Sequence, residues 1–240
     1  MKLGTLPLTV AVAAVALLLL SGFGVRLHIW SFRTGFALLG LGILGALLAA
    51  VGAIVGLGVP RLRADSAASL VLAAVIGLAA SYFPWRMLQQ ARKAPMIHDI
   101  STDLANPPAF DAILALRAAA PNPAAYGGPE VAAAQRRAYP DVQPLELAAP
   151  PAAVYDRALA AARDMGWELV KADPAAGRIE ATATTVWFGF KDDVVVRITP
   201  AAGGGSRVDV RSVSRVGRSD VGTNAARIRA FLARLAAPGS

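Results

Sequence analysis

The chain has 240 residues, no cysteine, 55% hydrophobic residues and a formal net charge of +8. The absence of cysteine excludes disulfides, thiol nucleophiles and thiolate metal sites. The positive charge would suggest a nucleic-acid partner, but residues 1–95 hold eight Lys and Arg against one Asp, whereas residues 96–240 hold sixteen basic against fifteen acidic residues. The basic excess therefore flanks apolar segments, as in membrane proteins, and no nucleic-acid partner is expected.

The first third of the chain contains three runs without a charged residue, at 7–25, 35–60 and 66–85. A hydrocarbon core about 30 Å thick requires roughly 20 apolar residues in a helix. Each run is close to or above that length, so residues 1–94 are predicted to form a transmembrane anchor of three helices in a lipid bilayer. The first run resembles a signal peptide, but it is expected to be retained because two further runs follow it.

Small residues recur at four-residue spacing in the second and third runs, as in Gly52 and Gly56 and again in Ala73, Gly77 and Ser81. Such faces allow helix backbones to approach closely. Two interpretations are open: oligomerisation through this face, or packing among the three helices of one chain, which is favoured. No ionisable residue lies inside a run, which argues against a transporter or a proton relay.

Residues 95–150 form a segment of different character, because ten of the sixteen prolines lie between residues 95 and 151. Prolines at this density prevent long helices and central strands. The segment nevertheless holds large apolar residues such as Phe110, Ile113 and Tyr139, too many for a free linker. It is predicted to be an extended arm with short helices near 109–119 and 129–138, wrapped on the domain that follows.

Residues 151–240 show the periodicity of an α+β domain. Apolar residues at helical spacing predict helices over 151–165 and 224–235. Between them lie four strand candidates separated by turn sequences, at 167–172, 178–188, 192–199 and 206–216. The short connections predict a four-stranded antiparallel meander with both helices on one face, a two-layer α+β sandwich behind the three-helix transmembrane bundle.

Several motifs in this region occur together in one family. They are Ile97-His98-Asp99-Ile100-Ser101-Thr102-Asp103, Asn106-Pro107-Pro108, Tyr139-Pro140-Asp141, Met165-Gly166-Trp167, Phe188-Gly189-Phe190 and Val208-Asp209-Val210-Arg211-Ser212-Val213-Ser214-Arg215-Val216-Gly217. With these motifs in this order, the chain resembles the domain of unknown function 1499 family, specifically its membrane-anchored long form. The resemblance implies a bacterial cell envelope or plastid-type setting and a soluble domain outside the cytoplasm, and the bacterial inner membrane is the predicted location. It implies no particular activity and no catalytic residues.

The side of the membrane can also be judged from the positive charges. Three Lys and Arg flank the predicted spans on the N-terminal side, and five flank them on the side of the soluble domain. This count alone would place the soluble domain in the cytoplasm. The resemblance points the other way, and the extracytoplasmic placement is the one favoured here.

One face of the predicted sheet carries a field of charged residues. Alternation along 206–216 places Val208 and Val210 towards the helices and Arg211 and Arg215 on the outer face, and Arg197 follows the same rule. The first interpretation is an anion-binding surface for a lipid headgroup or a small anionic ligand, because guanidinium groups bind such anions bidentately. The alternative is a charge ladder between strands on a solvated sheet.

The polar residues offer weak candidates for catalysis: His98, Asp99, Asp103 and Asp192. A lone histidine without a nucleophile context does not predict a triad, and a structural role for His98 in the arm is the favoured alternative. Asp192 and Asp193 are neighbours on a strand and should point to opposite faces, so they are read as turn residues that cap backbone amides, and no metal site is predicted. No cofactor is predicted either, because phosphate-loop, dinucleotide and zinc motifs are absent from the sequence.

Asp220 and Asn224 fall near the predicted start of the last helix and are expected to cap it.

Two classes of function follow from these observations. The first is a membrane-tethered module whose soluble domain binds a lipid, a small anionic ligand or an envelope protein. The alternative is a membrane-anchored, hydrolase-like enzyme that uses His98 with the nearby carboxylates.

Overall fold

The computed structural model describes residues 3–237. The chain divides into two compact units. Unit 1 comprises the chain up to Arg92 together with Val186–Gly189, and unit 2 comprises Lys93–Thr185 and the chain from Phe190 onward.

Unit 1 is built from three helices that are long and apolar enough to cross a membrane. They are α1 (Leu6–Arg26), α2 (Phe32–Gly58) and α3 (Pro60–Lys93). The Ser31 side chain caps the start of α2 by accepting a hydrogen bond from the Thr34 backbone N–H at 3.2 Å. Val59 alone separates α2 from α3, so Arg61 and Arg63 lie in a helix, in the short first part of α3 before a break at Ser66 (φ −148°, ψ 21°).

Small residues bring the three helices of unit 1 together. A Cβ atom added to Gly42 would lie 2.8 Å from Leu18 of α1, and one added to Gly56 would lie 2.9 Å from Leu70 of α3. Gly77 of α3 approaches α2 even more closely, because its added Cβ would lie 2.6 Å from the Ala46 carbonyl oxygen. The small-residue face therefore packs within one chain, as favoured from the sequence.

The segment Val186–Gly189 contributes aromatic residues to unit 1. The Trp187 Nε1 donates a hydrogen bond to the carbonyl oxygen of Leu19 at 3.2 Å. Phe188 stacks on Phe36 with ring centroids 5.1 Å apart.

Unit 2 is built on one antiparallel sheet of six strands, not the four predicted. The strands are β1 (Asp99–Ser101), β2 (Leu145–Leu147), β3 (Glu168–Asp173), β4 (Arg178–Thr184), β5 (Lys191–Pro200) and β6 (Ser206–Ser214). The predicted meander is present as β3 to β6, and β1 and β2 add to the free edge of β6. These two strands have only three residues each, too few for an alternating pattern to be recognised.

β4 ends at Thr184, four residues before the predicted end. Residues 185–190 turn instead: the Thr185 N–H donates to the Phe190 carbonyl oxygen at 2.8 Å, and the Phe190 N–H donates to the Thr185 hydroxyl at 2.8 Å. Gly189 has a φ of +68°, a left-handed conformation that favours glycine.

The two faces of the sheet are covered by different parts of the chain. Helices α5 (Pro151–Asp164) and α6 (Thr223–Ala236) pack on one face around a core that includes Ile179, Val210 and Phe231. On the other face, here called the outer face, the arm contributes a 3-10 helix (Ala112–Arg117) and forms a second, smaller core of Phe110, Ile113, Val195 and Val213. The arm also contains α4 (Gly128–Ala138). The sheet is therefore covered on both faces and is not half-solvated.

Candidate functional site

The charged residues of the outer face form several groups of ion pairs between the sheet and the arm, here together called the outer-face network. The strand register sets it up, because β5 and β6 place Arg197 opposite Asp209 and Val195 opposite Arg211. The network consists of six arginines (117, 178, 197, 207, 211 and 215) and five acids (Asp99, Asp103, Glu180, Asp193 and Asp209). Each of these guanidinium groups lies within 4.0 Å of a carboxylate of the network.

Arg211 occupies the centre of this network and is only 2% exposed. It pairs bidentately with Asp99, with N–O distances of 2.9 and 2.8 Å. Its remaining N–H groups donate to the carbonyl oxygens of Pro108 and Ala124 in the arm. The sequence placed Arg211 on an open face; it is buried instead, because the arm covers that face.

Aromatic rings of the arm complete the surroundings of Arg211. Its guanidinium carbon lies 5.1 Å from the ring centroid of Phe110 and 5.4 Å from that of Tyr126. Such contacts with a desolvated cation are stabilising. Burial raises the pKa of Tyr126 to about 12, and the negative charge of Asp99 acts in the same direction.

Asp193 is a second buried centre of the network, shared by two arginines. Its carboxylate lies 3.1 Å from Arg117 and 2.8 Å from Arg215, and it accepts a hydrogen bond from the Thr182 hydroxyl at 2.9 Å. The prediction that Asp193 caps turn amides is therefore wrong, because its partners are the side chains of Arg117, Arg215 and Thr182. Arg215 is the partly exposed partner of this carboxylate, and it also donates a hydrogen bond to the Leu116 carbonyl oxygen of the arm at 3.1 Å.

Glu180 ties the arm to the sheet and was not predicted as a site residue. Its fully buried carboxylate accepts hydrogen bonds from the backbone N–H groups of Asp111 and Ile113, at 3.0 and 2.9 Å. These N–H groups lie at the start of the 3-10 helix, where a carboxylate satisfies otherwise unpaired donors. Alternation along β4 places Glu180 on the outer face. Its partners lie 67 and 69 residues away in the chain, so they could not be predicted from the local sequence.

The edge of the network is more open, and the four residues there are called the rim cluster: Asp103, Arg197, Arg207 and Asp209. Arg197 donates to Asp103 at 3.1 Å and to Asp209 at 2.9 Å. Arg207 contacts the same two carboxylates, at 3.4 and 3.2 Å. The side chains of Arg197 and Arg207 are 22% and 37% exposed, so this is the part of the network that solvent reaches.

Asp103 is held in its charged form within the rim cluster. Burial alone would raise its pKa, but the backbone N–H groups of Asn106 and Ala105 and the charges of Arg197 and Arg207 together lower the pKa of Asp103 below its ordinary value. A carboxylate with a lowered pKa remains a strong hydrogen-bond acceptor at neutral pH.

The weak catalytic candidates lie in separate surroundings. Asp99 pairs with Arg211, Asp103 belongs to the rim cluster, and Asp192 pairs with Arg227 at 2.6 Å on the helix face. The backbone carbonyl oxygen of His98 accepts hydrogen bonds from Ser214 and Asn224. Among residues 3–237, the His98 imidazole forms no hydrogen bond with any of these carboxylates, and no group of three His, Asp or Glu side chains is placed to hold a metal ion.

Asn224 has a different role from the one expected. Its side chain does not cap the helix; it faces the sheet, where it accepts a hydrogen bond from the Ser212 hydroxyl at 2.7 Å and donates to the Ser214 hydroxyl at 3.0 Å. Arg227 also donates to the Asn224 side-chain oxygen. The two serines of β6 thus pair with α6 through a buried polar cluster.

Asp220 lies at the start of α6. Its carboxylate accepts hydrogen bonds from the backbone N–H groups of Asn224 at 2.6 Å and Gly222 at 3.2 Å. Burial raises the pKa of Asp220 even though these N–H groups act in the opposite direction. The desolvation of the charge therefore offsets part of the benefit of the cap.

We expect Asp220→Ala to lower the free energy of unfolding by about 0.5–2 kcal/mol, because α6 loses an acceptor for its first N–H groups. Asp220→Asn keeps a neutral acceptor and should lose less. Thermal unfolding of the full chain in detergent, followed by circular dichroism, measures both. Equal stability of wild type and Asp220→Ala would show that these hydrogen bonds make no net contribution to the free energy of unfolding.

Comparisons with known proteins give one match. Residues 99–235 match the family described as "Protein of unknown function (DUF1499)", over more than half of the chain. A search of curated proteins and a search of solved structures each found no match. The matched segment begins with β1 of the arm and ends in the last turn of α6, so it covers the whole outer-face network. The chain therefore belongs to the DUF1499 family and carries, ahead of the family domain, three helices long and apolar enough to span a membrane.

Proposed function

We propose that the protein is a membrane-tethered binding protein of the bacterial inner membrane, whose extracytoplasmic α+β domain recognises an anionic group, a phosphate or a carboxylate, at the rim cluster. Arg197, one of the three arginines predicted to bind a ligand, belongs to this cluster. Arg211 and Arg215 pair with Asp99 and Asp193 instead and are not part of the rim cluster.

The observation that carries the proposal is the partial exposure of two adjacent guanidinium groups on a rigid sheet. Arg197 and Arg207 lie on neighbouring strands and share the carboxylates of Asp103 and Asp209. Guanidinium groups bind phosphates and carboxylates through paired N–H donors. Arg207 is the more exposed of the two and makes the longer contact with Asp103, so an incoming anion can displace that contact most easily.

The alternative, a hydrolase-like enzyme that uses His98, has less support. A general base needs a partner within hydrogen-bond reach. Asp99, Asp103 and Asp192 are each engaged by a different arginine. None of these carboxylates is hydrogen-bonded to His98 among residues 3–237.

We expect Arg207→Gln to weaken anion binding at least about tenfold, equivalent to about 1.4 kcal/mol, while changing the melting temperature little. The full chain in detergent is titrated by calorimetry with inorganic phosphate and, separately, with a water-soluble short-chain phosphatidylglycerol. Binding of the lipid alone identifies a headgroup, and binding of both identifies a free anion site. Arg137→Gln, at an exposed position of α4, is the matched control.

No binding of either probe by the wild-type chain, or equal binding by the Arg207→Gln and Arg137→Gln variants, would contradict the rim assignment. Capture of an envelope protein that depends on Arg207 would assign the rim to a protein carboxylate instead.

The proposed side of the membrane is tested separately. Alkaline phosphatase fused after Ser240 should be active in bacterial cells, because that enzyme folds only outside the cytoplasm, and a fluorescent protein at the same position should be dark. A bright fluorescent fusion without phosphatase activity would place the soluble domain in the cytoplasm, as the charge count alone indicates.

A further inference from the structure

Unit 1 contains an apolar cavity between the C-terminal halves of α1 and α3. Its volume is about 500 Å³, within the usual range for a small-molecule site. Its walls are Val15, Leu18, Leu19 and Phe23 of α1, Ile76, Ala79, Ala80, Phe83 and Pro84 of α3, and Trp187. None of these side chains carries a charge.

The cavity has the depth of one leaflet of a bilayer. The lining positions run from 15 to 23 on α1 and from 76 to 84 on α3. Eight residues at 1.5 Å rise give about 12 Å on each helix, close to half of a hydrocarbon core about 30 Å thick. Consecutive spans alternate in direction, so α1 and α3 run the same way and both walls lie in the same leaflet.

The Trp187 ring forms one wall of the cavity, and its indole N–H is not available to a ligand in the cavity. Its indole N–H is already donated to the Leu19 carbonyl oxygen. The ring lies against α1 at Gly22, where an added Cβ would lie 2.2 Å from Trp187 Cδ1. On α3, Phe83 packs against the same indole with ring centroids 5.8 Å apart. The wall at Trp187 is therefore fixed in place and hydrophobic.

Positive charge lies directly beyond the end of the cavity. Arg26 follows Phe23 by three residues at the end of α1, and Arg86 follows Pro84 by two residues on α3. The only acidic residue among positions 1–95 is Asp65, near the opposite end of α3. Lys and Arg at this depth attract anionic lipid headgroups.

We propose that this cavity binds one acyl chain of an anionic phospholipid, with the headgroup phosphate near Arg86. The proposal shares the membrane placement of the proposed function but not its binding site, which lies in unit 2. The occupant follows from the surroundings: hydrocarbon is the solvent at this depth, the cavity matches the length of a leaflet, and the charges at its end complement a phosphate.

The test is native mass spectrometry of the detergent-purified full chain after incubation with phosphatidylglycerol or with phosphatidylcholine of the same chain composition. We expect one phosphatidylglycerol to be retained, and phosphatidylcholine at least about tenfold less. Ala80→Phe and Leu19→Trp fill the cavity from opposite walls, and both should abolish retention. Ala68→Phe adds the same bulk as Ala80→Phe at an exposed position of α3 and should retain the lipid. Arg86→Gln should reduce the preference for phosphatidylglycerol.

A second measurement locates the chain directly. Phosphatidylglycerol with a diazirine in its acyl chain should label positions 15–23 and 76–84 in the wild type and not in Ala80→Phe. Retention by Ala80→Phe and Leu19→Trp equal to that by Ala68→Phe, or labelling spread evenly over the three helices, would overturn the proposal by showing ordinary bilayer contact only. Ala80→Phe and Leu19→Trp leave the rim cluster intact and Arg207→Gln leaves the cavity intact, so a lipid lost only in Arg207→Gln would belong to the rim cluster and would overturn the cavity proposal.

Discussion

Replacing Arg211 by alanine is expected to lower the free energy of unfolding of unit 2 by about 3–5 kcal/mol. The substitution removes a guanidinium group that is 2% exposed and leaves its bidentate partner Asp99 buried without a counter-ion. The cation contacts with Phe110 and Tyr126 are lost as well. Urea unfolding of the detergent-solubilised chain, followed by far-ultraviolet circular dichroism, measures the loss.

Two further variants separate charge burial from loss of packing. The double variant Asp99→Asn with Arg211→Met removes both charges of this pair and leaves no unpaired carboxylate at position 99, so it should recover most of the stability lost in Arg211→Ala. Arg137→Ala, on the surface of α4, should stay within about 0.5 kcal/mol of wild type. If Arg211→Ala unfolds within 1 kcal/mol of wild type, the arm does not seal the outer face in solution.

Replacing Gly77 by leucine is expected to disrupt the helix packing of unit 1, with a destabilisation of about 3 kcal/mol or more, at the upper end for overpacked cores. The first added atom alone would lie 2.6 Å from the Ala46 carbonyl oxygen and 2.9 Å from the Ala50 backbone nitrogen. Backbone atoms cannot move aside as a flexible side chain can, so α2 and α3 must separate.

The matched control for Gly77→Leu is Gly40→Leu on α2. A Cβ atom at Gly40 meets nothing within 4 Å, and leucine favours the helix more than glycine does. The yield of monodisperse protein in detergent and its thermal aggregation temperature compare the two. If both variants are equally stable, α2 and α3 do not pack at Gly77.

On the outer face, the sequence predicted which side chains point away from the helices but not which part of the chain covers them. Alternation along β6 correctly separated the valines that face the helices from Arg211, because a strand points successive side chains to opposite sides. The sequence of a strand does not show which segment of the chain packs on each of its faces. Arg117, which reaches Asp193, lies 76 residues away in a segment whose prolines suppress any periodic pattern.

The same limit applies to the candidate site residues. Arg197 was predicted to bind a ligand, but its neighbours Arg207, Asp103 and Asp209 come together only through strand pairing and the fold of the arm. A signal for Arg207 was present in the alternation of β6. Nothing in the sequence distinguished its partly exposed side chain from the buried one of Arg211.

The amino-acid sequence by itself determined the three apolar helices, the order of β3 to β6 between α5 and α6, and the family. These features rest on length, on hydrophobic periodicity and on local turn residues, all of which are short-range properties of the chain. Only the tertiary structure decided that β1 and β2 extend the sheet, that the arm buries Arg211 and Glu180, and that α1, α3 and Trp187 line a cavity that is open on one side. Each of these depends on contacts between residues far apart in the chain, where burial and pairing are fixed by the neighbours that the fold supplies.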